Sequence, residues 1–474
     1  MASDAQLTAR DYAKQYRDGE RSPEDVVEAA IAAVRLSDQQ EMPLGAFVVL
    51  DEADVRRQAA ESARRIERGE ARSLLDGVPV AIKDEFDVEG FATTAGTIFR
   101  GKKKAKADAA VVERLREAGA VIFGKTAMHE IGFGGTGINP KHITARNPHD
   151  LNRAPGGSSS GSAAAVAAGL CPIALGSDAG GSVRIPAAFS GIYGLKPTYG
   201  RIPTTGGALL AWSLDHLGPL AASVDDLAIF YDLTAGAHPS DEETHGQPAP
   251  DLVGELDPPD MSDLRIAWTP EMGEDALGPV KHSFLKALGA LRREGAVVDE
   301  RSIAHIAQAQ RVGYVTMAAE AAATQRDWLV DHRADYNWDT RLLLAVGERI
   351  STQEYLHAQR VRTIVCREFA KVFEDYDFFV TPTTGMVAPE ITDAAMEAGE
   401  VNSKINAYVS RYTFLGNVSG YPAVSVPCGV DSQGLPIGLM IYAAPWKERE
   451  LLNAAAAIDQ VVDGVGRPSL FFEV

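Results

Sequence analysis

Two glycine-serine segments carry the residues best suited to chemistry. The first reads Pro155-Gly-Gly-Ser158-Ser159-Ser160-Gly-Ser162 and runs straight into the small residues Ala163-Ala-Ala-Val-Ala-Ala168. Glycines let backbone amides approach a bound group, and serines supply hydroxyls without bulk. Taken alone, this segment serves equally as a helix N-cap or a phosphate cradle. The second segment follows after a short apolar stretch: Gly176-Ser-Asp178-Ala179-Gly180-Gly181-Ser182-Val183-Arg184-Ile185-Pro186. Its glycine pair suits a tight bend whose N–H groups converge on one point, which is what an oxyanion hole requires. Two such turns in near succession are far less easily produced by chance than one.

Competing patterns fail on their physics. Gly119-Ala-Val-Ile-Phe-Gly124-Lys125-Thr126 matches a phosphate loop, but Ala-Val-Ile-Phe has the composition of a buried strand and follows a helical segment, so it does not bend its amides toward phosphate. His129-Glu130 lacks a second histidine four residues after the first, which removes the zinc-protease reading. His129, His142, His149 and His216 stand in no nucleophile-elbow context, so solvated or capping roles are expected of them rather than a Ser-His-Asp triad. Cys171, Cys366 and Cys428 are too few and too scattered for a disulfide framework or a zinc site. No metal or other cofactor is implied.

The elements that must position these turns follow an α/β rhythm. Ser22-Pro23-Glu24-Asp25 reads as an N-cap, a proline at the first helical position and acids in the first turn, followed by Val26, Val27, Ala30, Ile31 and Val34 at helical spacing. Amphipathic Val111–Ala118 precedes the apolar run Ala120–Phe123, and Gly77–Ile82 is a second such run. Leu264–Trp268, Phe378–Val380, Ala423–Val426 and Leu439–Tyr442 are expected strands, and Tyr355–Phe373 and Arg449–Ile458 expected helices. The pattern predicts an α/β fold, one large domain over 1–474 with a mixed central β-sheet flanked by helices, a catalytic core at about 70–220 and a surface connection at 237–263.

Composition narrows the function classes. Apolar residues make up 45% of the chain and charged ones 23%, enough for a sizeable core and against wholesale disorder. The formal charge of −19 repels phosphate backbones, so direct nucleic-acid binding is not expected, and the basic run Arg100–Lys106 is read as a solvated loop. No stretch approaches the roughly 18 apolar residues of a membrane span, and the N-terminus lacks the regions of a signal peptide. A cytoplasmic protein without a membrane partner is expected; a homodimer is admissible.

These residues resemble the amidase signature family, whose mark is a Gly-Gly-Ser-Ser-Gly-Gly-Ser stretch followed by a Gly-Gly-Ser-(Ile/Val)-Arg-x-Pro turn. The resemblance extends through Gly77-Val-Pro-Val-Ala-Ile-Lys83-Asp84, Gly191–Arg201, Tyr421–Pro427 and Gly434–Gly438, nearly the whole chain; Ser160 stands where the family usually has glycine. It implies that Ser182 is the acyl-accepting nucleophile, Ser158 a bridging serine in a Ser–cis-Ser–Lys relay, and Lys83 the base. Ala179, Gly180, Gly181 and Ser182 would supply oxyanion donors. Gly132 and Phe133 would line the substrate loop, with Ser158 also touching substrate, while Ser159, Asp178 and Arg184 would support the turns. A lysine acts as a base only when neutral, so its pKa must fall from about 10.4, as burial behind Val-Pro-Val-Ala-Ile would make it do. Asp84 and Glu85 would oppose this if they pointed at the amine, and they are expected to face elsewhere.

The resemblance implies an amidase that hydrolyses carboxamide-type C–N bonds, with anilides, carbamates (urethanes) and esters as further substrates; its partner is a small-molecule amide or carbamate. One rival is the glutamine-hydrolysing subunit of a tRNA-dependent amidotransferase. Arg362 and Tyr314 fall where that subunit grips glutamine, but an acid for the glutamine amine is not evident in Asn406–Phe414. A rival of another class is an inactive binding or scaffold protein. Phe133, Tyr314, Trp212 and Trp338 hint at apolar pocket walls.

Overall fold

A computed structural model describes residues 7–468 and 470–471. Its frame is one eleven-stranded mixed sheet. The strands are β1 (Phe47–Val49), β2 (Pro79–Lys83), β3 (Val121–Thr126), β4 (Ile173–Asp178), β5 (Tyr193–Lys196), β6 (His216–Ala221), β7 (Arg265–Trp268), β8 (Val297–Glu300), β9 (Phe378–Pro382), β10 (Ala423–Val430) and β11 (Pro436–Tyr442). Their order across the sheet is β1-β3-β2-β4-β6-β5-β10-β11-β9-β7-β8. β3, β2 and β4 run parallel, with Val80 opposite both Ile122 and Ile173. β9, β7 and β8 form a second parallel group, and the antiparallel strands β6, β5, β10 and β11 join the two.

The strand pattern explains the cores. Side chains alternate across a sheet, so Val80, Ile82, Ile173 and Leu175 enter one apolar core while Ala81 and Ala174 enter the other. All five residues of β2 are buried, as expected of a parallel strand covered on both faces. The helix Pro23–Asp38 starts where its cap predicts: Ser22 Oγ accepts the Asp25 N–H at 3.1 Å, and the Asp25 carboxylate accepts the Ser22 N–H at 2.8 Å. The helix Ser160–Ala167 is buried along its whole length. Ser162 Oγ donates to Leu175 O at 3.0 Å, which ties that helix to β4. The phosphate-loop lookalike forms interior strand β3, and its Lys125 pairs with Asp84 at 2.9 Å.

Candidate active site

Parallel neighbours β2 and β4 end side by side, and the two ends deliver the central groups. Lys83 is the last residue of β2; Ser177 and Asp178 close β4. Open α/β sheets place their reactive groups at such carboxyl ends. Lys83 is fully buried, and its Nζ donates to Ser158 Oγ at 2.7 Å and to Ser177 Oγ at 2.6 Å. Ser182 Oγ accepts the Ser158 backbone N–H at 2.9 Å. The structure therefore gathers Lys83, Ser158 and Ser182, from positions far apart in sequence, into one cluster. The two serine hydroxyls make no hydrogen bond with each other among the described residues.

Two sequence expectations are corrected here. Glu85 does not face away: its Oε2 lies 3.0 Å from Lys83 Nζ and accepts from Ser177 Oγ at 2.5 Å. The chain turns immediately after β2, with the Phe86 N–H bonded to Lys83 O, and this folds Glu85 back onto the strand end. The fold-back gives the buried Lys83 side chain a polar partner besides the two serine hydroxyls. Asp84 does turn away, onto Lys125. The second correction is the cis peptide expected at Ser158. Among the described residues no peptide bond is cis, and trans is the lower-energy form for a non-proline bond.

The Ser182 turn is held by Asp178. Its carboxylate accepts the N–H of Gly181 at 2.7 Å and of Val183 at 3.1 Å, and it pairs with the Arg184 guanidinium at 2.8 Å. Burial pushes the Asp178 carboxyl upward, but the Arg184 charge and hydrogen bonds, with that of Asn417, hold it far below the ordinary carboxylate range. Because Gly181 spends its N–H on Asp178, it is not free to bind an oxyanion in this structure. Ala179, Gly180 and Ser182 remain as candidate donors. Gly181 has φ +125°, and a Cβ there would fall 2.4 Å from Thr413 Oγ1, so only glycine fits. Asn417 Nδ2 donates to Asp178 O at 2.6 Å, and Thr413 Oγ1 to Gly180 O at 2.5 Å. Ser159 Oγ exchanges hydrogen bonds with the backbone of Ser177, donating at 3.2 Å and accepting at 3.3 Å, and so fastens the first turn to β4.

Ser182 opens into a cavity of about 450 Å³. Gly132, Phe133, Ile185, Tyr314, Met317 and Phe414 form much of its wall, with Ala179 and Gly180 beside the serine. A Cβ on Gly132 would come 3.9 Å from Ser158 Oγ, which places that residue next to the Lys83–Ser158–Ser182 cluster. Trp212 and Trp338 are about half exposed and do not line this cavity, so those two aromatic expectations fail. Arg362 does not line it either. Its guanidinium is spent on Val418 O, Ser213 Oγ and Ser213 O. None of His129, His142, His149 and His216 hydrogen-bonds to Ser182. His149 and His216 bond to backbone oxygens of Ser190 and Leu214.

Ser177, Thr413 and Asn417 were not singled out by sequence reasoning, and Glu85 was expected to face away. Ser177 was within reach, since it lies inside the second glycine turn beside Asp178. Thr413 and Asn417 carry no local signal, because they reach the turn only through the folded sheet. Among the described residues no group of three or more His, Cys, Asp or Glu side chains could hold a metal ion. No helix among them is long and apolar enough to cross a membrane.

Comparison with known proteins gives a consistent set of likenesses. A family model described as Amidase matches residues 25–452. A fatty acid amide hydrolase of Oryza sativa subsp. japonica is 37% identical over 474 residues, spanning 98% of this chain and 78% of the relative. A glutamyl-tRNA(Gln) amidotransferase subunit of Halalkalibacterium halodurans is 36% identical over 491 residues, spanning 98% of this chain and 99% of that one. Among solved structures, the native peptide amidase of Stenotrophomonas maltophilia matches with a TM-score of 0.83 at 28% identity, covering 98% of this chain and 99% of its own.

Proposed function

From the premise that this chain belongs to the amidase family and is a hydrolase of amide C–N bonds, we propose that it works through an acyl-enzyme on Ser182, with Ser158 as proton carrier and Lys83 as base. The supporting observation is the chain of short contacts that leads to Ser182 on the cavity wall: Lys83 Nζ to Ser158 Oγ at 2.7 Å, and the Ser158 N–H to Ser182 Oγ at 2.9 Å. A serine hydroxyl attacks a carbonyl only as its proton leaves. Rotation of the Ser182 side chain from the Ser158 N–H onto Ser158 Oγ gives that proton a path. Ser182 Oγ bonds to the carbonyl carbon, its proton passes to Ser158 Oγ, and the proton of Ser158 passes to the lone pair of Lys83 in its neutral amine form. The carbonyl oxygen takes the negative charge against the N–H groups of Ala179, Gly180 and Ser182. The reverse transfer protonates the leaving nitrogen as the C–N bond breaks, and water then attacks the ester by the same route. Ser177 and Glu85 extend the chain beyond Lys83, so amine, hydroxyl and carboxylate form one hydrogen-bonded path for a proton.

The apolar cavity wall supports a substrate with an apolar part next to the scissile carbonyl, in line with the fatty acid amide hydrolase and peptide amidase among the relatives. Anilides, carbamates and esters present the same carbonyl to Ser182. The three cysteines are free, and burial pushes the Cys171 and Cys428 thiols up to about 12, so a thiol mechanism has no support. A glutamine-hydrolysing subunit is the weaker reading, because Arg362 is turned onto Val418 and Ser213 rather than into the cavity. The test is covalent labelling. A fluorophosphonate should modify the wild-type protein at Ser182, while Ser182→Ala should lose both labelling and hydrolysis of aryl amides with its melting temperature unchanged. Labelling at a different serine, or undiminished hydrolysis, would overturn the assignment.

A further inference from the structure

One stretch of the Ser182 cavity carries polar groups that the hydrolytic step does not use. His129, Asp339 and Glu400 line it beside Leu342, Leu343 and Val401. His129 is only 1% exposed, yet neither ring nitrogen has a hydrogen-bond partner among the described residues. Its Nε2 lies 3.4 Å from Asp339 Oδ2, within ion-pairing distance but outside hydrogen-bond geometry. A buried imidazole left in this condition is costly, and a native structure rarely keeps one without a use.

The surroundings are built to hold these groups in place. A Cβ on Gly134 would fall 2.2 Å from the His129 ring, and one on Gly399 would fall 2.1 Å from the Asp339 carboxyl carbon, so both turns make room that only glycine leaves. Asp339 Oδ1 accepts the Thr340 N–H at 2.8 Å, and Oδ2 accepts the Glu400 N–H at 3.0 Å. Glu400 Oε1 accepts the Asn402 N–H at 2.8 Å. Behind them, Glu130 accepts the Asn337 N–H at 2.7 Å, and its Oε1 has no hydrogen-bond partner. Arg311, an exposed cation, also lines the cavity. Acceptors therefore dominate this stretch, and two of them are carboxyl groups.

Resting on Ser182 as the nucleophile of this cavity, we propose that His129, Asp339 and Glu400 form a subsite for a primary ammonium group, carried by the substrate across an apolar segment from the scissile carbonyl. A carboxylate would meet two acids. A hydroxyl offers one donor, whereas an ammonium offers three, which match one imidazole nitrogen and two carboxyl groups. Burial strengthens such charge-assisted bonds. The apolar side chains of Leu342, Leu343 and Met317 suit the methylene segment that joins the two ends of the substrate.

The test uses the full chain and pairs of p-nitroanilides: ω-aminoacyl compounds of graded length, each against its methyl-terminated isostere. A second arm moves the ammonium to the leaving group, pairing amides of diamines with amides of monoamines. At one length, in one arm, the cationic member should be favoured at least tenfold in kcat/KM, mainly through KM. Asp339→Asn and Glu400→Gln should each bring that ratio close to one, with melting temperatures showing which variants are folded. If a variant does not fold, alkyl diamines should still inhibit hydrolysis of the neutral substrate by the wild type more strongly than alkylamines do. Preference for the neutral member at every length in both arms, or an unchanged ratio in the folded variants, overturns the subsite. Absence of both turnover and Ser182 labelling would instead overturn the hydrolase mechanism on which it rests.

Discussion

Lys83 meets two hydroxyls and a carboxylate at once, and this sets how it can be tested. In the proposed mechanism Lys83→Ala removes the proton acceptor, so amide turnover should fall by about 10²–10⁴-fold. Ester turnover should fall less, because an alkoxide or phenolate departs with less help from a general acid than an amine does. Parallel kcat/KM values on an amide and an ester sharing one acyl group check this; equal losses on both would contradict it. Glu85→Gln keeps the shape of the group behind Lys83 but removes its charge, and it should also lower amide turnover more than ester turnover. The two serines were legible in the sequence because glycine turns leave a chemical mark, and the lysine through the family resemblance that those turns carry. Glu85 was not. Its direction depends on a turn that begins at the last residue of β2, and a sequence shows that the carboxylate is adjacent without showing which way it folds back.

At the scale of elements, the Ser182 turn is a short loop between β4 and the helix Arg184–Ser190, fixed by one buried ion pair. Asp178→Ala would leave Arg184 charged and unpaired in a site with no exposure, a change that costs about 3–5 kcal/mol in comparable buried pairs. Chemical denaturation should show that loss, with kcat falling as the turn loosens. Asn417→Ala removes hydrogen bonds but no charge, so a smaller loss is expected; equal losses would mean that the ion pair is not what holds the turn. The strands that the sequence revealed were those rich in branched and aromatic residues, such as β3 and β9. β6 passed unnoticed because His-Leu-Gly-Pro-Leu-Ala contains two residues that strands disfavour, yet it pairs with both β4 and β5 in the sheet interior. β4 and β5 were hidden inside motifs read for their chemistry. In each case tertiary pairing overrides local composition.

Across the whole molecule, several buried acids bias stability toward mildly acidic conditions. Asp226 accepts the Ala9 N–H at 2.8 Å and so anchors the helix Ala9–Asp18, and burial pushes its carboxyl up to about 7. An unfolded carboxyl titrates near ~4. Between those values the folded chain keeps a proton that the unfolded chain has shed, so this group's contribution to stability declines as pH rises from about 4 to 7 and is constant above that. Glu130, raised by burial to about 7, acts in the same direction. Asp226→Asn should therefore show a shallower decline of the urea midpoint over this range, by at most ~1.4 kcal/mol per pH unit. Identical pH profiles for the two proteins would refute it.

The sheet order carries a consequence in time. β10 and β11 are threaded between β5 and β9, and the residues that brace the nucleophile turn, Thr413 and Asn417, immediately precede them. During synthesis, Lys83, Ser158 and Ser182 all emerge long before these supports exist. A nascent chain thus holds every reacting group without the brace or the central strands that bring the two halves of the sheet together. Completion of the Ser182 turn therefore waits for Thr413 and Asn417, and joining of the two parallel strand groups waits for β10 and β11.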